Sequence, residues 1–281
     1  MSEYRAPLKD MLFVLEHVAN LPLLSTMPGF EHADAETVEG ILEEAARFME
    51  EQLAPLNRVG DEQGVRQTGD SIIHPDGFKD AYQRFVDAGW NGIAFGEEYG
   101  GGGLPWVVGL AVQEMLTASN MAFSLCPLLT QGAIDAISHH ADETLQEIYL
   151  PKMVTGEWTG TMNLTEPQAG SDVGALTTRA VPNEDGSYRV FGTKIYITYG
   201  EHELSENIIH LVLARVPGAP PGTKGISLFI VPKFLVNDDG SLGQRNDLRV
   251  LSSEDKIGIH ASPTCVMSYG DGDGAVGYLI G

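Results

Sequence analysis

The residues PKMVTGEWTGTMNLTEPQAGSD, numbers 151–172, decide the fold, because the spacing of apolar residues changes there. Before Pro151, apolar residues recur every three or four positions, which is the period of an amphipathic helix. After Pro151, short apolar runs are separated by Gly, Pro and Asp, which is typical of strands. The sequence therefore predicts an α+β organisation, with helices first and strands afterwards, and a boundary between residues 155 and 156.

Helical patterning is clear along the first part of the chain, where residues 1–155 are expected to form an all-helical domain. One apolar stripe consists of Val38, Ile41, Leu42, Ala45, Met49, Leu53 and Leu56. Four further segments have helical patterns, namely residues 78–90, 106–120, 127–139 and 142–150. Asp34 and Asp142 are suitable N-caps, and Pro151 is expected to end the last helix. The run GEEYGGGG, residues 96–103, predicts an irregular loop, since each glycine costs roughly 1 kcal/mol in a helix relative to alanine.

Strand patterning follows from residue 156 to residue 281. Three runs combine β-branched and aromatic residues: YRVFGTKIYIT at 188–198, IIHLVLARV at 208–216 and GISLFIVP at 225–232. The turn sequences NEDG at 183–186 and VNDDG at 236–240 flank such runs and favour hairpins over parallel βαβ crossovers. We therefore expect residues 156–281 to form an antiparallel, β-barrel-like domain.

Composition excludes several classes of protein. The 281 residues carry 39 Asp plus Glu against 17 Lys plus Arg, a net charge of -22, so nucleic acid is not an expected partner. No apolar run reaches the roughly 18 residues that a membrane-spanning helix needs. Cys126 and Cys265 are far apart and lack metal-ligand spacing, which predicts neither a disulfide framework nor a zinc site. These observations predict a cytoplasmic protein with no metal.

The motif MNLTEPQAGSD, residues 162–172, is the strongest local signal for chemistry. A strand is expected to end at Leu164, Pro167 forces a turn, and Gly170 allows a ligand to approach the backbone. Thr165 and Ser171 offer hydroxyl groups beside backbone N–H groups, an arrangement that can bind an anionic oxygen such as that of a phosphate. From the residues alone, the preferred interpretation is an ordinary strand-to-loop corner whose hydroxyls bind local backbone groups.

Four separated motifs resemble one family in their order and spacing. MNLTEPQAGSD resembles the signature stretch of the acyl-CoA dehydrogenases, and GEEYGGGG resembles the loop that precedes it there. KIYIT at 194–198 resembles the family's flavin-contacting strand, and EDKIGIHASPTC at 254–265 resembles a later β-domain motif. The resemblance covers practically the whole chain. It points to the larger-subunit branch, whose substrates include 3-methylthiopropanoyl-CoA and fatty acyl-CoA thioesters.

The resemblance implies roles for residues of the first motif. Met162, Leu164 and Thr165 would line the isoalloxazine ring of FAD, with Thr165 bonded to its polar edge. Ser171 would lie by the FAD pyrophosphate and the acyl-CoA substrate. Many relatives have an aromatic residue where Met162 stands, which would reshape the edge of the pocket.

The resemblance also implies roles for the strand motif. Tyr196 stands where relatives often have Trp, an aromatic residue packed against the flavin, and Thr198 would bond near the flavin N5. Tyr199 replaces the small polar residue that is common after this Thr, and is expected to fill space half-buried in the sheet.

The activity that the resemblance implies is FAD-dependent oxidation of an acyl-CoA thioester to a trans-2-enoyl-CoA, with electrons passed to an electron-transfer flavoprotein. Family members are homo-oligomers whose C-terminal helical bundle closes over the flavin and carries the catalytic carboxylate base. The sequence ends at Gly281, about where that bundle should begin, so no catalytic residue is assigned and weak flavin binding with negligible turnover is expected. Two alternatives remain open: a flavoprotein of other chemistry, nitroalkane oxidase-like or alkylation-response and DNA-associated, and a non-catalytic flavin-binding or partner-binding fragment.

Other candidate residues have simpler interpretations. His139 and His140 are adjacent and face different ways on a helix, so surface histidines are expected there rather than a metal site. Glu166 is expected to be structural or solvated, and Cys265 to be an inert buried thiol.

Overall fold

The computed structural model describes residues 4–281. Eight α-helices occupy the first part of that range: α1 Leu8–His17, α2 Leu21–Leu24, α3 Ala35–Phe48, α4 Ala54–Gln63, α5 Phe78–Asp87, α6 Trp106–Ser119, α7 Met121–His140 and α8 Glu143–Thr155. A π-helical turn, Met49–Leu53, joins α3 to α4. The predicted caps are present, because Asp34 accepts a hydrogen bond from Thr37 N–H and Asp142 accepts one from Leu145 N–H, both at 2.9 Å.

Two helices differ from the sequence prediction because they contain proline. Helix α7 starts at Met121 and includes Pro127, and α8 continues past Pro151 to Thr155 instead of ending at Leu150. Proline removes one backbone hydrogen bond in each helix, but the neighbouring residues Leu150 and Met153 are fully buried. Packing against the core therefore outweighs the local stop signal.

The helices enclose a core rich in aromatic side chains. Phe78, Tyr82, Phe85 and Phe123 are at most 2% exposed, and the ring centroids of neighbouring members lie 5.9 to 6.5 Å apart. A small hairpin of strands β1 Arg66–Thr68 and β2 Ser71–Ile73 lies between α4 and α5. The expectation of an all-helical first part is therefore wrong at this hairpin.

The second part of the chain is mostly antiparallel sheet, as predicted. Its strands are β3 Trp158–Asn163, β4 Arg179–Pro182, β5 Tyr188–Thr198, β6 Asn207–Ala214, β7 Ser227–Pro232, β8 Phe234–Val236, β9 Leu242–Arg245, β10 Leu248–Ser253, β11 Thr264–Tyr269 and β12 Ala275–Ile280. Strands β8 and β9 form a separate hairpin, and the others follow the order β10-β11-β5-β12-β7-β6-β3, with β4 paired to β5.

The large sheet closes into a barrel-like ring. Strand β4 pairs with β5 and also meets the end of β6, where Ala180 N–H donates to Arg215 O at 2.8 Å. A continuous path therefore runs from β5 through β12, β7 and β6 back to β4. The pair β3–β6 is parallel, and so is the bridge between Arg179 and Arg215, whereas the remaining strand pairs of the described sheet are antiparallel. No α-helix lies between β3 and β6 in the described chain, so this parallel pair is not a βαβ unit.

The two parts of the chain share a hydrophobic cluster. Ile134 and Tyr149 of the helices belong to the same cluster as Trp158, Ile209 and Ile230 of the strands. The secondary structure changes between the end of α8 at Thr155 and the start of β3 at Trp158. The hydrophobic packing does not break there, because the cluster contains side chains from both helices and strands. A division into two domains between residues 155 and 156 therefore stays a prediction.

Helix α7 is long and apolar enough, by length and composition alone, to cross a membrane. Half of that stretch is buried inside the protein, where α7 packs against α6, α8 and β3. Such packing on several sides is typical of a core helix in a globular protein.

The glycine-rich run at 96–103 forms the predicted loop and folds back on the residues before it. Gly101 N–H donates to Gly96 O at 3.0 Å, Gly102 N–H to Gly92 O at 3.0 Å, and Gly103 N–H to Phe95 O at 2.9 Å. A Cβ atom on Gly101 would lie 2.1 Å from Phe95 O, closer than side chains can approach a carbonyl oxygen. Glycine at this position is therefore required by packing.

Replacing Gly101 by alanine should destabilise the chain by about 2 to 3 kcal/mol, because the backbone of the loop must move. The matched control is Gly132→Ala in the exposed middle of α7, where no atom lies within 4 Å of the added Cβ. That change should stabilise the helix by up to about 1 kcal/mol. Urea unfolding of both variants checks the opposite signs, and a neutral Gly101→Ala variant would contradict the packing of this loop.

Candidate functional site

The segment after β3 carries the first group of predicted site residues. Strand β3 is mostly buried and ends at Asn163, one residue earlier than predicted. The chain then makes a tight turn, in which Glu166 N–H donates to Ala169 O at 2.9 Å and Ala169 N–H donates to Glu166 O at 3.0 Å. Pro167 occupies the second position of this turn, where its fixed φ is favourable. The motif therefore folds into a strand, a turn and a short exposed segment, residues 170–172.

The second group of predicted site residues, Tyr196 and Thr198, lies in β5, and this strand contains a β-bulge there. Lys194 pairs with Met267 of β11 and Ile197 pairs with Cys265, so two residues of β5 lie opposite one residue of β11. The second of the two, Tyr196, has φ of 59°, which is uncommon for a residue other than glycine. Bulges change the direction of side chains and are frequent beside functional sites.

The bulge separates side chains that strict alternation would place together. In a regular strand, Lys194, Tyr196 and Thr198 would share one face. In the structure Lys194 is fully buried, whereas Tyr196 is 55% exposed and Thr198 is half-buried. The extra residue therefore directs Lys194 into the protein and leaves the Tyr196 ring at the surface.

Three hydrogen bonds bring the loop and the strand together. They are Thr161 Oγ1 to Thr198 O at 2.6 Å, Ile195 N–H to Thr165 O at 2.8 Å, and Lys194 Nζ to Leu164 O at 3.0 Å. We call the resulting region the β3–β5 site, defined by Met162, Leu164, Thr165, Gly170, Ser171, Tyr196 and Thr198. The structure thus places residues from both sequence motifs in one region.

Several hydrogen-bond donors at the β3–β5 site have no partner within residues 4–281. They are the hydroxyl groups of Thr165, Ser171 and Thr198 and the backbone N–H groups of Gly170, Ser171 and Asp172. Thr165 and Thr198 are half-buried, and their hydroxyl groups are not among the fully buried atoms that lack a partner, so they remain accessible to a ligand. Three successive free N–H groups can bind an anionic oxygen.

The space around Gly170 also fits a ligand. A Cβ atom on Gly170 would meet only Thr165 Cγ2, at an ordinary contact distance of 3.7 Å, so the protein's own packing does not require glycine there. Met162 and Leu164 add half-buried apolar surface beside the hydroxyl groups. This donor set suits a ligand that combines a planar ring with an anionic group.

A buried ion pair lies directly beneath the site. Lys194 Nζ donates to Glu166 Oε1 at 2.8 Å, and the side chains are 0% and 2% exposed. Burial raises the pKa of Glu166, but the bonds from Lys194, Thr177 and Thr178 outweigh it and hold this pKa at about 2. Burial lowers the pKa of Lys194. Of the two roles expected for Glu166, structural or solvated, the structure shows the structural one, because its side chain is buried and paired with Lys194.

Further buried polar groups extend below β3. Tyr269 Oη donates to Asn163 Oδ1 at 2.6 Å and lies 3.0 Å from His210 Nδ1. Burial lowers the pKa of His210 to about 3 and also lowers the pKa of His202, so both rings are neutral at pH 7.

A charged cluster ties three loops of the sheet together. Glu201, 1% exposed, accepts hydrogen bonds from Lys233 Nζ and, at 3.3 Å, from Arg245 Nη2. Glu201 lies just after β5, Lys233 lies just after β7, and Arg245 is the last residue of β9.

The other residues considered from the sequence lie outside the β3–β5 site. His139 and His140 are exposed at the end of α7, and the described residues contain no group of His, Cys, Asp or Glu arranged to hold a metal. Cys265 is fully buried, and burial raises its pKa to about 12. Tyr199 is 1% exposed instead of half-buried, because its ring stacks on His74 and its hydroxyl donates to Ala122 O at 2.7 Å.

Sequence reasoning missed the ion pair and the polar clusters. A usable signal existed for the first, since Lys194 stands in a strand rich in β-branched and aromatic residues, and lysine is almost never fully buried without a partner. Nothing in the spacing of Glu201, Lys233 and Arg245 indicates that they meet, because their contact depends on how the loops cross.

Two family models match this chain: the acyl-CoA dehydrogenase N-terminal domain over residues 35–157 and the acyl-CoA dehydrogenase middle domain over residues 161–271. The chain belongs to the acyl-CoA dehydrogenase family. The resemblance inferred from the four motifs is confirmed, and the loop, the bulge and the ion pair are features of this chain's acyl-CoA dehydrogenase fold.

Individual acyl-CoA dehydrogenases resemble the chain over nearly all of its length. The 3-methylmercaptopropionyl-CoA dehydrogenase of Ruegeria pomeroyi is 49% identical over 278 residues, 99% of this chain and 47% of that protein. A butyryl-CoA dehydrogenase of Syntrophomonas wolfei is 38% identical over 99% of this chain and 46% of that protein. The solved butyryl-CoA dehydrogenase of Megasphaera elsdenii has a TM-score of 0.66 and 25% identity, over 87% of this chain and 58% of that one. The chain spans about half the length of the curated relatives it matches.

Proposed function

We propose that this chain forms the FAD-binding and thioester-binding part of an acyl-CoA dehydrogenase, an oxidoreductase that converts an acyl-CoA thioester to a trans-2-enoyl-CoA. The observation that carries the proposal is the set of unpaired donors at the β3–β5 site, beside the exposed ring of Tyr196. FAD combines a planar ring that has a polar edge with an anionic pyrophosphate, and both parts match this donor set.

Each residue of the β3–β5 site has a proposed role in holding FAD. Met162 and Leu164 line the ring, and the Thr165 hydroxyl donates to its polar edge. The backbone N–H groups of Gly170 and Ser171 bind pyrophosphate oxygens, and the Ser171 hydroxyl also contacts the acyl-CoA. The free donors and the open space at Gly170 support these assignments.

The residues of β5 orient the ring. The aromatic face of Tyr196 packs against the flavin and excludes water, and the Thr198 hydroxyl donates near N5. When bound, FAD supplies the acceptor for the hydride that leaves the β-carbon of the thioester. Hydrogen-bond donors fixed before binding need no reorganisation as charge develops, which is how they favour such a reaction.

No residue of the described chain is assigned as the base that removes the α-proton. Glu166 is unsuitable, because five donor groups, the buried Lys194 ammonium among them, hold its carboxylate ionised and away from the surface. Glu97 and Glu98 are exposed in the short turn Glu97–Tyr99 within the loop at residues 96–103.

The proposed substrates are 3-methylthiopropanoyl-CoA or a fatty acyl-CoA. The names of the similar enzymes, 3-methylmercaptopropionyl-CoA and butyryl-CoA dehydrogenase, support thioesters of short acyl groups. The proposed electron acceptor is an electron-transfer flavoprotein, and the proposed state is a homo-oligomer in the cytoplasm. The two buried cysteines are free thiols, which supports a reducing compartment. The net charge of -22 argues against a DNA-associated role.

Titration of the chain with FAD, followed by flavin fluorescence, tests the proposal. We expect saturable binding, and we expect Ser171→Phe to weaken the binding of FAD or of butyryl-CoA by about tenfold or more, because a large side chain blocks the N–H groups that face the ligand. The control is Ser241→Phe in the exposed β8–β9 turn, which should leave both affinities unchanged. Absence of saturable FAD binding, or equal affinities in the two variants, would refute the proposed site.

A further inference from the structure

The carboxylate of Glu166 gathers an unusual number of donors for one side chain. Its Oε1 accepts from Lys194 Nζ at 2.8 Å and Thr178 N–H at 3.0 Å. Its Oε2 accepts from Thr177 N–H at 2.7 Å, Thr177 Oγ1 at 3.0 Å and Gln168 Nε2 at 2.6 Å. One buried carboxylate therefore fixes both the turn at residues 166–169 and the backbone at residues 177 and 178.

Lys194 links this carboxylate to the strand and to the start of the loop. Its Nζ donates to Leu164 O at 3.0 Å as well as to Glu166, and its own backbone lies in β5, two residues before Tyr196. The segment from residue 164 to residue 178 is therefore held at both ends against β5. The free donors at residues 165 and 170–172 lie within that segment.

Stability alone does not explain an ion pair at this position. Removing two charges from water is unfavourable, and a well-packed apolar pair of similar volume is often at least as stabilising. A carboxylate can accept several hydrogen bonds at once, which an apolar side chain cannot. The pair is thus suited to fixing a polar loop in one arrangement.

We propose that Glu166 and Lys194 are positioning residues of the FAD site, holding the loop of Thr165 and Ser171 in register with the strand of Tyr196 and Thr198. This inference rests on the proposed function. Neither side chain reaches the surface, so both act through the groups that they hold and not by contact with the ligand. If the loop adopts its binding arrangement only part of the time, the apparent affinity for FAD falls by the same fraction.

The test compares FAD binding and the midpoint potential of the bound flavin in the wild-type chain, Glu166→Gln and Thr177→Val. Glu166→Gln removes the charge, and we expect the Kd for FAD to rise about tenfold or more. The potential should rise by about 30 mV, because the Lys194 cation, left without its counter-charge, favours the reduced flavin about tenfold over the oxidised flavin. Thr177→Val removes one hydroxyl donor and should raise the Kd on the order of fivefold.

The matched control is Lys152→Met, which breaks a lysine–glutamate pair of 3.0 Å whose side chains are 36% and 45% exposed. It should change neither the Kd nor the potential. A folded Glu166→Gln variant with wild-type affinity and potential would overturn the inference, and Thr177→Val decides by the same criteria if Glu166→Gln does not fold. Failure of the wild-type chain to bind FAD would refute the proposed function itself, whereas binding that the variants leave unchanged would refute only the positioning role.

Discussion

Acidification from pH 6.5 to 4.5 should destabilise the folded chain by about 2 kcal/mol through His210 alone. Burial lowers the pKa of His210 to about 3, with smaller contributions from the cations Lys233 and Arg245. The groups in contact with the ring, Asn163 and Tyr269, carry no charge that would favour the protonated form. The folded chain therefore excludes a proton that the unfolded chain binds.

The sign of this effect follows from the two pKa values. The folded pKa lies below the unfolded value of 6.5, so the stabilisation is fully present above pH 6.5 and is lost as the pH falls towards 3. Replacing His210 by glutamine should reduce the slope of unfolding free energy against pH by about 1.4 kcal/mol per pH unit between 6 and 4.

Urea unfolding at a series of pH values measures this slope separately from any loss of stability that the substitution itself causes. His140→Gln is the control, because His140 is exposed and its substitution should leave the slope unchanged. An unchanged slope in His210→Gln would show that His210 is not a buried neutral histidine.

Replacement of Lys233 by methionine should destabilise the chain by about 3 kcal/mol, the effect of leaving a buried carboxylate without its main partner. Glu201 is 1% exposed, and after the change it retains only Arg245, at 3.3 Å, among its cationic partners. Methionine has a similar volume to lysine, so the loss of stability measures the removal of the charge and not the creation of a cavity.

A double variant, Lys233→Met with Glu201→Gln, should recover more than half of that loss, since no charge is then left uncompensated. Lys152→Met, at an exposed pair, should change stability by less than about 1 kcal/mol. Thermal and urea unfolding of the three variants provide the measurement. If Lys233→Met and Lys152→Met have equal effects, the cluster of Glu201, Lys233 and Arg245 is not a buried network.

Local pattern was sufficient for most elements but not for their ends. The stripe through Val38 and Leu42 predicted α3 correctly, because both residues are fully buried as a 3.6-residue period requires. Pro127 and Pro151 misled the prediction, since the packing of α7 and α8 tolerates the loss of one backbone hydrogen bond in each helix. The β1–β2 hairpin was missed because its strands have three residues each, too few to show a period.

The sequence by itself determined the family, the order of helices before strands and the two motifs that form the candidate site. Those properties depend on residue type and spacing along the chain, which a sequence records directly. Only the tertiary structure decided that Lys194 turns inward to Glu166 while Tyr196 turns outward. That outcome requires a β-bulge, and the bulge arises from the pairing of β5 with β11, whose residues lie about 70 positions further along the chain. The same reason applies to Glu201, Lys233 and Arg245: their charges meet because separate loops cross, and no local spacing encodes that crossing.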